Sequence, residues 1–160
     1  MIHTGNQVIK INETFSSIFQ RTFGKPIDYE GRSVCQIYVK KIQLGVNKIK
    51  ISRLNASLET EVGLRLKVVK GELEINGERS SDFVLWSDTC PEVVNVSVFA
   101  KKGCELRVWN VWRAGDVVQA WVGNSGIILS EEHDGVVLEC SDGAGDIDFS
   151  SLIVKIFDIG

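Results

Sequence analysis

The sequence predicts an all-β fold, an antiparallel β-sandwich of the jelly-roll type, formed as a single domain over residues 1–160. Three observations carry this expectation. Short β-type runs recur at roughly 8–12-residue spacing, as in sandwiches and barrels. Several of them alternate with period two. In Asn47-Lys48-Ile49-Lys50-Ile51-Ser52 the isoleucines fall on one face and the lysines on the other. Turn residues divide the runs, with 15 glycines in a chain that shows no sustained helical period.

Taken in order, the runs predict strands at 7–12, 34–39, 46–54, 62–69, 72–75, 83–86, 93–99, 105–111, 117–122, 126–131, 136–140 and 152–157. Leu64, Leu66 and Val68 alternate with Arg65 and Lys67, and Val94, Val96 and Val98 with Asn95 and Ser97. Asn76-Gly77 is the strongest hairpin signal, because both residues tolerate the positive φ of a two-residue turn. Asp134-Gly135 likewise divides 126–131 from 136–140. The single helix candidate is 13–22, where Phe15, Phe19 and Phe23 recur at helical spacing. Residues 1–33 are the least regular part and read as an N-terminal extension.

Composition narrows the function classes. The 160 residues are 44% hydrophobic and 24% charged with a net charge of −3, which excludes a disordered chain. A pI near 5.4 argues against general nucleic-acid binding. No apolar run approaches the ~18 residues of a membrane span, and the N-terminus has no signal-peptide pattern, so no membrane partner and a cytoplasmic location are expected. Cys35, Cys90, Cys104 and Cys140 lack metal-type C-x-x-C spacing and lie in or beside apolar runs, as buried free thiols do. No nucleophile-elbow, zinc-protease or P-loop pattern is present, and the expectation is a non-catalytic protein. Charge is uneven: residues 1–80 hold 13 basic and 8 acidic side chains, residues 81–160 hold 5 and 13. Lys40, Lys41, Lys48, Lys50 and Arg53 form a basic stretch that could touch phosphate or an acidic glycan, although its alternation suits a solvated strand face.

Two constellations point to binding. Trp109, Trp112 and Trp121 lie close together with Arg107, Arg113, Gln119 and Asn124. Alternation puts Leu106, Val108, Asn110 and Trp112 on one face, and Arg107, Trp109, Val111 and Arg113 on the other. This splits Trp112 into the core and Trp109 onto a polar face; the alternative is that all three indoles fill the sandwich core. An exposed indole stacks on the C–H face of a sugar while guanidinium and amide groups bind hydroxyls, so carbohydrate is the expected ligand. The alternative is a structural or assembly protein forming homo-oligomers through this face, since Trp and Arg are enriched at interfaces. The second constellation is Asp142, Asp146 and Asp148 in a glycine-bearing loop, a candidate calcium site because calcium takes six to eight oxygen ligands in a flexible cage.

The stretch Cys140-Ser141-Asp142-Gly143 through Asp146-Ile147-Asp148-Phe149-Ser150-Ser151-Leu152-Ile153-Val154 resembles the end of galactose-binding-like β-sandwich domains, where an acidic loop feeds the closing strand. It is also similar to the D-x-D-F-x-D-L-V pattern of several bacterial β-sandwich proteins, with Ser151 in place of a carboxylate. The resemblance implies a sandwich fold and, through its calcium-dependent sugar-binding members, a cation in this loop.

Overall fold

The computed structural model describes residues 13–159 in full and the backbone of Ile2–Thr4 and Gln7–Ile9. The predicted strand 7–12 lies partly outside the described residues. The elements are β1 (Ile2–Thr4), β2 (Gln7–Ile9), α1 (Phe15–Arg21), β3 (Ile27–Tyr29), β4 (Arg32–Cys35), β5 (Tyr38–Lys41), β6 (Gly45–Ala56) and β7 (Val62–Ile75). There follow β8 (Glu78–Ser80), β9 (Asp82–Trp86), β10 (Val93–Ala114), β11 (Val117–Gln119), β12 (Gly126–Glu132), β13 (Gly135–Ser141) and β14 (Leu152–Asp158). The all-β antiparallel class is as expected. β1 and β2 pair with each other, and the rest form one 12-stranded sheet in the order β3-β4-β12-β13-β14-β6-β10-β7-β8, with β5 and β11 on β10 and β9 on β7. This order does not by itself establish a jelly roll.

The sheet becomes two layers through one bent ribbon. β7 and β10 pair over most of their length, and each replaces two strands expected from the sequence. Gly71 pairs with Ala100 and Val69 with Glu105, so Lys70 stands opposite residues 101–104. Lys70 and Gly103 both adopt left-handed φ, 60° and 81°. A bulge of this kind adds twist and re-aims both strands. Before the bend β10 is flanked by β6; after it, β10 is flanked by β5, and β7 by β9. Leu64 and Leu85 of the second layer meet Ile51, Val94, Leu152 and Val154 of the first. Burial keeps its parity through the bend: Val94, Val96, Val98, Ala100, Cys104, Leu106, Val108, Asn110 and Trp112 are all buried. Each aliphatic side chain so buried contributes about 1.5–3 kcal/mol.

Other differences from the sequence reading have local causes. The run 34–39 splits into β4 and β5 because the chain changes layer there, leaving β12 for β10. The run 117–122 stops at Gln119, and Trp121 takes a left-handed φ of 58°, which a strand does not hold. The Asn76-Gly77 hairpin forms as expected between β7 and β8, with φ of 52° and 79°.

Within residues 1–33, the segment from Phe15 onward contains α1, β3 and the start of β4, and these build a second core. Thr14 caps α1, its hydroxyl accepting from Ser17 N at 3.3 Å. Phe15, Ile18 and Phe19 pack with Ile27, Val34 and Ile128, and Tyr29 and Phe149 close the cluster. The helix ends when Gly24 N donates to Phe19 O at 2.7 Å, the bond of a Schellman cap. Phe23 therefore falls at the left-handed position after the helix and points to solvent, leaving only the first two phenylalanines of the repeat in the core.

Candidate functional site, a tryptophan and arginine face

The outer face of the second layer is set by strand register. Across β9, β7 and β10, Val84 pairs with Arg65 and Arg65 with Trp109; one step along, Trp86 pairs with Gly63 and Gly63 with Val111. Arg107, Trp109, Val111 and Arg113 thus share one side of β10, as alternation predicts. The expectation that Trp109 is exposed on this side is overturned: it is 5% exposed. After β11 the chain returns so that Trp121 lies against it, ring centroids 4.9 Å apart at 31°. The Trp121 Nε1 donates to Gln36 O at 3.3 Å, tying this cover to the β4–β5 crossing. Trp109 Nε1 is buried with no hydrogen-bond partner among the described residues. The exposed indole is Trp121, at 37%.

Arginines brace the face. The Arg65 guanidinium lies 5.5 Å from the Trp109 ring centroid and Arg113 lies 4.0 Å from that of Trp86. Gly63 makes room for this second pair, since a β-carbon there would come within 2.8 Å of the Trp86 ring. Each arginine is held by a carboxylate. Arg113 Nη1 reaches Glu61 Oε2 at 2.9 Å, and Arg107 Nη2 donates to Glu105 Oε2 at 3.3 Å. Arg65 makes a fork with Asp82, Nε to Oδ1 at 3.0 Å and Nη2 to Oδ2 at 2.6 Å.

Hydrogen bonding from Arg65 holds the Asp82 carboxyl below its ordinary range and raises Arg65 in turn. A depressed folded-state pKa stabilises the fold above the unfolded value of about 3.9, and that contribution is lost as pH falls through the folded value. Asp82→Asn is therefore expected to remove part of the acid-induced loss of stability. Urea midpoints for the two proteins should converge as pH falls below that range; parallel curves throughout would contradict it.

The remaining expected ligand residues do not join this face. Gln119 pairs with Trp112 and so belongs to the inner side of the sheet. Asn124 Oδ1 accepts from Phe15 N at 3.2 Å, and Gly123 O accepts from Ser16 N at 3.0 Å, so this loop anchors the start of α1. The three aspartates do not converge. Among the described residues, no group of three His, Cys, Asp or Glu side chains could hold a metal ion. Asp142 Oδ1 accepts from Ala144 N at 2.8 Å, and Asp148 Oδ1 accepts from Ser150 N at 2.9 Å, both local turns of Asx type. The Ser150 hydroxyl and amide hold the Asp148 carboxyl below its usual range. Asp146 is exposed.

Sequence reasoning missed Arg65, Asp82 and Trp86 as members of the face. Alternation marked Arg65 as outward, but nothing local to it indicates that β9 lies alongside. Among the described residues, no helix is long and apolar enough to cross a membrane. Compared with known proteins, the chain matches no family model, no curated protein and no solved structure.

Proposed function

We propose that this chain is a non-catalytic binding module that takes a carbohydrate on the tryptophan and arginine face of its second layer. The observation that carries the reading is the stacked Trp109–Trp121 pair, in which a buried indole supports a partly exposed one. Trp121 supplies an apolar ring for the C–H face of a sugar. Arg107, itself exposed on the same side of β10, supplies donors for hydroxyl groups. The carboxylates around the face, Glu61, Asp82 and Glu105, are engaged by arginines, which favours binding over acid–base chemistry. The free cysteines suit the reducing cytoplasm that this reading assumes.

A second reading is favoured by one further observation. Val117 and Val118 of the edge strand β11 and Val122, next to Trp121 in the chain, are exposed, apolar surface of the kind that pairs subunits in a homo-oligomer. A glycan array followed by calorimetry, with light scattering on the same sample, separates the two. The carbohydrate reading expects a monomer whose affinity for its best glycan falls about tenfold or more in Trp121→Ala. A silent array with an oligomer that Val118→Lys dissociates would replace it with the assembly reading.

A further inference from the structure

The bend of the β7–β10 ribbon gathers cations that are far apart in sequence. Lys70 stands at the bulge opposite Lys101 and Lys102, and a β-carbon on Gly103 would lie 3.4 Å from Lys70 Nζ. The β5–β6 turn lies against the same bend: Ile42 N donates to Cys104 O at 3.0 Å, and Gly45 and Val46 pair with Ala100 and Phe99. Beside this turn is a cavity of about 550 Å³ whose charged lining is Lys40, Lys41, Lys48 and Asp158. A second cleft, with Lys101 and Glu72 as its charged lining, shares Val46 as its wall. Asn47 Nδ2 donates to Gln43 O at 2.8 Å and to Gly45 O at 3.3 Å, which fixes the turn between the clefts.

The carboxylates of this corner are already committed. Asp158 pairs with Lys40 at 3.2 Å, Glu105 with Arg107 at 3.3 Å, and Glu72 with Arg79 at 3.6 Å. Among the described residues Lys41, Lys48, Lys70, Lys101 and Lys102 have no carboxylate within 4.0 Å. In a chain of net charge −3, two of these uncompensated lysines, Lys41 and Lys48, line a cavity large enough for a small ligand; Lys101 lines the adjoining cleft, and Lys70 and Lys102 stand at the bulge beside it. The turn itself projects Leu44 and Val46, 74% and 63% exposed.

We propose that this corner is a binding site for a phosphate-bearing ligand, either a free polyphosphate or the headgroup of an anionic lipid. Ammonium groups lining two adjoining clefts suit a multivalent oxyanion, each lysine acting as a point charge. Leu44 and Val46 would lie against the acyl boundary if the phosphate belongs to a lipid. The site is separate from the tryptophan and arginine face and stands or falls independently of it.

The test uses sodium tripolyphosphate in calorimetry and, in flotation, phosphatidylcholine vesicles with and without phosphatidic acid. The expected result is binding to at least one probe, weakened by salt. It should fall about tenfold or more in Lys41→Ala/Lys48→Ala/Lys101→Ala. Lys25→Ala, which removes an exposed lysine between α1 and β3, should bind like the parent. Tripolyphosphate binding alone would identify a free ligand, and binding to phosphatidic acid vesicles alone a headgroup. No binding to either probe overturns the proposal, as does an equal loss in Lys25→Ala or no loss in the triple variant. Since all the substituted lysines are surface groups, unchanged thermal unfolding serves as the check on folding.

Discussion

Trp112→Ala is expected to cost about 3–5 kcal/mol of unfolding free energy, the range for removing a large buried aromatic. Trp112 is among the largest fully buried side chains and sits where three parts of the chain meet. Its neighbour in β10, Asn110, donates from Nδ2 to Ser141 O at 2.9 Å and so ties the second layer to the end of β13. Gly143 of the β13–β14 loop lies against the indole, with the Val122 carbonyl of the β11–β12 loop packed on Gly143 in turn. Removing the ring leaves a void bounded by strands and by these loops, which have little freedom to collapse into it. Urea unfolding followed by far-ultraviolet circular dichroism measures the loss. A cost below about 1 kcal/mol would mean that the loops refill the space and that Trp112 is not the keystone described.

Gly143→Ala is expected to cost about 1–3 kcal/mol, the usual range for overpacking. A β-carbon at this position would lie 2.2 Å from Val122 O and 2.7 Å from the Trp112 ring. The first neighbour is backbone and the second is a ring fixed in the core, so neither yields readily. The same substitution decides between two accounts of the acidic loop. If Gly143 is required by packing, the loss is the same with calcium and with chelator. If the glycine instead shapes a cation cage, calcium should stabilise the parent and not the variant. Gly145, two residues on, has nothing near its missing side chain, so Gly145→Ala is the matched control.

Much of this architecture was legible locally. Alternation assigned the two faces of β10 correctly, with Leu106, Val108, Asn110 and Trp112 all inward. Asn76-Gly77 named its own hairpin because the φ angles it needs are a property of those two residues. The helix at Phe15–Arg21 followed from aromatic spacing, though the spacing could not tell that Phe23 lies past the cap. What alternation could not give was whether the outward face of β10 would stay uncovered. Trp109 was expected to meet solvent and instead lies beneath Trp121, because a segment twelve residues further on folds back over it.

The acidic loop illustrates the same limit from the other side. Three aspartates and two glycines within seven residues are what a calcium loop and a pair of Asx turns have in common. Composition cannot separate them, since the difference lies in where the carboxylates point. Asp142 and Asp148 each turn back to a nearby backbone N–H. The cationic corner was half visible: Lys40, Lys41 and Lys48 are close in sequence, but Lys70, Lys101 and Lys102 join them only through the bend.

By itself the sequence determined the antiparallel β class, which side chains share a face of the alternating strands, and the residue-specific turns. These depend on period-two patterning and on the φ preferences of a few residues, which act within a window of several positions. The tertiary structure alone decided that two pairs of expected strands are two continuous ones, which indole is exposed, and which charges are left without partners. The first and last depend on a bulge that pairs one residue of β7 against four of β10 and folds one sheet over itself, and the second on the return of the chain after β11. Such a bend sets distances between residues that share no local pattern, so no reading of neighbouring positions contains it.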